Sequence, residues 1–313
     1  MTTSNSVDFS VSRNDIITAS LQEIGQYRTG QTISADDVTL VALRLNMVSK
    51  QWQGTADFAP GLKEWSRKRG YVFLQTSQAS YSLGPSGDNA TSSYSRTTIS
   101  TDEASAQTVL SVTSTTGMTA ADIIGIELDS GALHWTTIVS TGAGPTVTIT
   151  TQLPSAAAAG NYVYWYTTKM RQPLHIITAS LRDENTKDSP LRIMRTLEEY
   201  ESIPDKTADS DPSSLYYEFQ LTNGVMYLDA EPTDVTKVIR LTFLSAIEDF
   251  DAANDTPDYP QVWYLPLVLQ TAKLIAPVYG IKWTQDQEDN RKEAIAIARN
   301  TLPEVCDLYF QSG

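Results

Sequence analysis

Ser34-Ala-Asp-Asp-Val-Thr-Leu-Val-Ala-Leu-Arg-Leu-Asn-Met-Val-Ser-Lys-Gln-Trp52 carries the strongest periodic signal in the chain. Val38, Val41, Leu45, Val48 and Trp52 recur at alternating spacings of three and four, which places them on one stripe of an amphipathic helix. Ser34 with Asp37 forms a near-capping box at its start, and Gly54 stops it. Upstream, Ser12-Arg-Asn-Asp15 offers several N-cap candidates before Ile17, Leu21 and Ile24, with Gly25 as the C′ residue. The chain therefore opens with a helix pair joined by the polar connection 26–32.

Downstream, after Pro60 and Gly61, residues 71–83 alternate loosely and predict a strand pair around Gln78. From Pro85 to Gly160 the composition changes: 27 of 76 residues are Ser or Thr, and Arg96 is the only Lys or Arg between Arg69 and Lys169. Short apolar bursts follow one another there, among them Thr108–Val112, Ile123–Leu128, Trp135–Val139, Thr146–Thr150 and Tyr162–Tyr166. Turn residues separate them, as in a small barrel or sandwich.

Beyond residue 170 the pattern is mixed. His175–Leu181, Leu191–Arg195 and Lys237–Leu244 predict strands, Leu197–Glu201 a short helix, and Asn223-Gly224 a type I′ hairpin turn. Leu265, Leu269, Ala272 and Ala276 share a helix face that Pro277-Val-Tyr-Gly280 ends, and Thr284 with Gln287 caps a last helix. The expected fold class is α+β: a helical core of N- and C-terminal helix pairs with a small β region, carrying an inserted all-β barrel or sandwich. Its expected parts are residues 1–84, the insert 85–170, residues 171–302 and a docking tail 303–313.

Composition narrows the function. The chain has 313 residues, a net charge of −14 and one cysteine, Cys306, which excludes an intramolecular disulfide and a cysteine-based zinc site. Two histidines, His134 and His175, leave little for imidazole chemistry. The acidic balance argues against broad binding to a phosphate backbone, although an acidic surface can repel DNA passing close by. Nothing approaches 18 consecutive apolar residues, so no membrane span is expected. The first residues, Met1-Thr-Thr-Ser-Asn-Ser-Val-Asp8, lack the basic start and apolar stretch of a secretory signal.

No nucleophile elbow, phosphate loop, zincin motif or calcium loop occurs in the sequence. The carboxylate pairs Glu198-Glu199, Glu248-Asp249 and Asp249/Asp251 could serve glycoside hydrolysis, but an acidic chain supplies such pairs by chance. The expectation is no enzyme, no cofactor and no metal. Lys63-Glu-Trp-Ser-Arg-Lys-Arg69 is the one dense basic cluster; Lys63, Trp65, Arg67, Lys68 and Arg69 are candidates for an inter-subunit or DNA-backbone contact. Leu308-Tyr-Phe-Gln311 is a candidate docking tail.

Asn14–Gly25, Ser34–Asp37, Ala42–Asn46 with Trp52, and Asp258–Pro266 through Ala272–Ala276 and Tyr279-Gly280 together resemble the helical segments of phage head-to-tail adaptors. The kin are the tail accessory factors of short-tailed phages like P22. Asp122–Leu128 and Trp135-Thr-Thr137 resemble a β insert found in such phage proteins. The resemblance implies a virion protein made in the host cytoplasm. It would form a ring, commonly of twelve copies, beneath the portal protein, extend the DNA channel and seat tail nozzle or fibre proteins, with DNA passing unread. It also implies that Leu308, Tyr309, Phe310 and Gln311 dock on the portal. Two alternatives make other demands. A carbohydrate- or host-surface module would expose Trp135, Tyr162, Tyr164 and Trp165 in a row; a peptidoglycan hydrolase would desolvate a carboxylate in a cleft.

Overall fold

The computed structural model describes residues 6–54 and 66–300. Among them are five α-helices and fourteen strands, which divide into two compact units. One unit joins residues up to 66 with residues from 246 onward; the other is the continuous segment Arg67–Ser245.

The first unit is helical. α1 (Arg13–Glu23) begins at Ser12, whose hydroxyl accepts from the Asp15 amide while the Asp15 carboxylate accepts from the Ser12 amide at 2.9 Å. It ends in a Schellman motif: Gly25, at φ 74°, donates to Gln22, and Gln26 donates to Leu21. α2 (Ala35–Gly54) starts at Ser34, whose hydroxyl accepts from the Asp37 amide. The Asp37 carboxylate accepts from the Ser34 hydroxyl at 2.7 Å and from the Tyr27 and Tyr279 hydroxyls, and these bonds, chiefly that of Ser34, hold its carboxyl below the usual range.

α3 (Leu197–Glu201) belongs to the second unit; α4 (Tyr264–Ile275) and α5 (Gln285–Asn300) complete the helical one. The stripe of α2 is buried as predicted at Val41, Leu45, Val48 and Trp52, against Leu267, Ala272 and Ile275 of α4. Leu269, Ala272 and Ala276 are buried too, but Leu265 is 60% exposed. The incoming segment is fastened to α2 by side-chain amides. Asn46 exchanges hydrogen bonds with the Phe250 backbone, Gln53 accepts from Ile247, and buried Tyr259 donates to Ser49.

The second unit holds both sheets. The first, in spatial order, comprises β2 (Ser80–Leu83), β13 (Gly224–Leu228), β12 (Ser214–Glu218), β11 (Asp188–Met194), β10 (Pro173–Arg182), β14 (Val238–Ser245), β1 (Arg67–Phe73) and β3 (Ala90–Thr91). Its edge strands β2 and β3 bury Tyr81, Leu83 and Ala90 in the same cluster as Val72, Leu241 and Phe243, so the sheet curls around one interior. The second sheet comprises β4 (Ser95–Thr98), β9 (Tyr162–Tyr166), β6 (Ile123–Glu127), β7 (Leu133–Gly142), β8 (Thr146–Ile149) and β5 (Val109–Ser111). It encloses Leu110, Ile124, Ile126, Val147 and Val163. Between the sheets lies an aromatic seam centred on Phe73, whose ring is 4.9–5.9 Å from those of Tyr94, Trp135, Tyr164 and Tyr166.

Three expectations are corrected. The chain is mostly β, with two large sheets and few helices, not a helical core that carries an inserted all-β domain. The larger sheet gathers strands on both sides of the Ser/Thr-rich stretch, and local periodicity cannot reveal such long-range pairing. Second, β1 and β2 do not pair with each other; β1 joins β14 and β3, and β2 joins β13. Third, Asn223-Gly224 is not a two-residue turn. Gly224 is the first residue of β13, across a connection of residues 219–223, and a Cβ there would lie 1.9 Å from the Tyr217 hydroxyl oxygen. Close approach of a ring, and not turn geometry, is what requires glycine at that position.

Truncating Leu45, which is fully buried, is expected to cost about 2–5 kcal/mol by cavity formation. A lowered urea midpoint would show it. Gly125 faces Trp135 across β6 and β7, where a Cβ would meet the indole at 2.6 Å. Because Phe73 and Tyr166 confine that indole, Gly125→Ala is expected to cost about 1–3 kcal/mol by overpacking.

Candidate functional site

Lys63 and Trp65, and the tail residues Leu308, Tyr309, Phe310 and Gln311, lie outside the described residues. Arg67, Lys68 and Arg69 open β1 and are all exposed, in register with Leu244, Phe243 and Thr242. Strand alternation sends Arg67 and Arg69 to the seam side and Lys68 to the opposite face. These three side chains therefore do not make one patch, although they are adjacent in sequence.

The other candidates serve the fold. Glu199 pairs with Arg192 and accepts from the Arg195 amide just ahead of α3. Asp249 pairs with Lys50 at 2.7 Å, and the Asp251 carbonyl accepts from Arg13. The Asp and Glu carboxyls that the structure visibly displaces are all displaced downward, the reverse of a desolvated general acid. His175 is exposed on β10, and the His134 ring bonds the Thr151 carbonyl at 3.1 Å. Tyr164 and Trp165 are buried, one in the seam and one in the core of the smaller sheet. Trp135 and Tyr162 are half-buried against the seam, so these four aromatics form no exposed row.

The helical unit carries exposed apolar side chains of its own. α2 turns Leu43 (57% exposed) and Met47 (47%) outward, one turn apart. Elsewhere, Val7 and Phe9 lie beside the start of α4, where Phe9 packs on Tyr264 and Gln261 donates to the Val7 carbonyl; with Leu265 they form a second exposed apolar patch.

The end of α2, α4 and α5 also border a groove of about 700 Å3, lined by Trp52, Gln270, Lys273, Arg291, Lys292 and Arg299. Glu288 pairs with Lys273 at 2.9 Å and Arg291 at 2.8 Å and accepts from Trp283. Chiefly through the Arg291 hydrogen bond, its carboxyl is held well below the ordinary range. Four cations beside one carboxylate make this groove locally basic in an acidic chain. It can receive a carboxylate-bearing segment. The sequence hints at it only through Arg291, Ile295 and Arg299, which share a helix face at intervals of four.

Because its folded-state pKa is depressed, Glu288 contributes stability that is present above its ordinary value of 4.5 and lost as pH falls below it. Urea titrations of wild type and Glu288→Gln are expected to differ clearly near neutral pH, with a gap that narrows steadily as pH falls below 4.5 and closes only in strong acid, well below the ordinary carboxylate range. Equal midpoints at neutral pH would contradict this.

No known family model matches the chain, and no curated protein matches it. Among solved structures it has a similarity to VP17, a capsid protein of bacteriophage P23-77, at 10% identity over 60% of this chain and 72% of that one. The TM-score is 0.12, and at that level the likeness carries no argument about fold or role.

Proposed function

We propose that this chain is a structural protein of a phage virion, and specifically a head-to-tail adaptor. It would assemble as a ring beneath the portal protein, extend the DNA channel and seat tail nozzle or fibre proteins, without catalysis. One observation carries the reading. The segments that resemble adaptors, residues 14–52 and 258–280, come from opposite sides of the β unit yet fold into one helical unit. Ile17, Leu21, Val41, Ala272 and Ile275 meet there in one cluster.

Two further features support it. A closed ring needs a heterologous interface, in which each copy presents two different surfaces. The Leu43/Met47 face and the Val7/Phe9/Leu265 patch supply two separate apolar surfaces on the same unit. The net charge of −14 suits a conduit that does not hold DNA.

Native mass spectrometry and negative-stain imaging, with and without the cognate portal ring, test the proposal. The expected outcome is a ring with the portal's symmetry. Leu43→Glu with Met47→Lys should abolish that ring while moving the thermal midpoint little, because both side chains are exposed. Removal of residues 304–313 should prevent docking. A chain that stays monomeric in the presence of portal would refute the adaptor reading.

A further inference from the structure

In the β unit the aromatic seam opens at one end into a cleft of about 340 Å3. Tyr71, Tyr94, Arg96, Arg182, Asp183 and Glu184 line it. Its floor is rigid. Tyr71 and Tyr94 are fixed edge to face with ring centres 5.0 Å apart, and Tyr94 is braced by Phe73 at 5.2 Å. Both residues are half-buried, and both line the cleft.

The polar walls are equally fixed. Arg182 grips Asp188 through two parallel bonds of 2.8 and 2.7 Å, and Arg240 reaches the same carboxylate at 2.9 Å. These cations hold the Asp188 carboxyl down at about 2. Arg96 lies 4.5 Å over the Tyr162 ring and donates to the Glu184 carbonyl, while the Tyr162 hydroxyl donates to the Glu184 carboxylate. On the cleft's rim, in the 183–187 loop, Thr186 holds a φ of 64°, a left-handed conformation that costs a β-branched residue energy.

Aromatic surface, planar guanidinium donors and carboxylate acceptors, with lining charges that sum to zero (Arg96 and Arg182 against Asp183 and Glu184), describe a site for a neutral polyol with an apolar face. A pyranose ring has that chemistry: its C–H face packs on an aromatic side chain, and its hydroxyls take paired donors and acceptors. The volume lies at the small end of ligand pockets, suited to one or two sugar rings.

We propose that this cleft is a carbohydrate-binding subsite, with Tyr71 and Tyr94 as the stacking wall and Arg96 and Glu184 as the hydroxyl-reading pair. It goes beyond the adaptor reading and does not rest on it. It also differs from an exposed row of Trp135, Tyr162, Tyr164 and Trp165, because Tyr164 and Trp165 are buried.

Saturation-transfer difference NMR on the full chain tests it, using gluco-, galacto-, manno- and N-acetylglucosamine-based trisaccharides as probes. At least one is expected to receive saturation on its ring protons. Arg96→Gln and Glu184→Gln should each weaken binding about tenfold, the loss of one charge-assisted contact. Both side chains are exposed, so an unchanged thermal midpoint would separate lost binding from lost folding. Absence of transfer to every probe would overturn the proposal, as would undiminished transfer in both variants. Displacement of the sugar by inorganic sulfate would identify an anion site instead and would overturn it equally. Ring assembly on the portal is read separately, so either proposal can fail while the other stands.

Discussion

The antiparallel pairing of β1 with β14 is the contact on which the rest of the architecture depends. Arg67 sits opposite Leu244, so the β unit begins and ends at neighbouring positions on adjacent strands. The helical unit needs this, because α1 and α2 must find α4 and α5 across residues 67–245. Closing so long a loop would oppose that meeting through chain entropy. Once β1 and β14 are zipped together, the open span shrinks to a short gap, and the apolar stripe of α2 meets Leu267 and Ile275 almost as if the intervening residues were a turn.

Much of the local structure was legible. The stripe of α2, the caps at Ser12, Ser34 and Thr284 and the glycine after α1 follow from periods and side-chain chemistry within one or two turns. The apolar bursts 123–128 and 162–166 overlap strands β6 and β9. What could not be read was partnership. Val72 and Tyr81 belong to one interior although their strands do not pair, and no pattern within 71–83 encodes that β13 lies beside β2. A helix face is likewise ambiguous where it is apolar all round: Leu265 and Leu269 share a spacing of four, yet only Leu269 is covered.

The candidate surfaces show the same division. Density along the chain drew attention to residues 63–69, but alternation in β1 scatters the three described cations over two faces. The basic groove draws its cations from residues as far apart as Lys273 and Arg299. Clusters built by folding are invisible to a search for clusters along the chain, and this holds for Tyr71, Arg96 and Arg182 as well.

The split helical unit also imposes an order of events on the ribosome. α1 and α2 emerge first, with Ile17, Leu21, Val41 and Leu45 seeking partners that are not yet made. At ordinary translation speeds roughly 10–40 seconds pass before α4 follows. Through that interval the β unit can close by itself, as domains generally do, while the leading helices carry an uncovered apolar stripe. The nascent chain is therefore most exposed to wrong association in its first helices, and a holdase that shields them until the last helix has emerged would raise the folded yield more than any aid to the sheets.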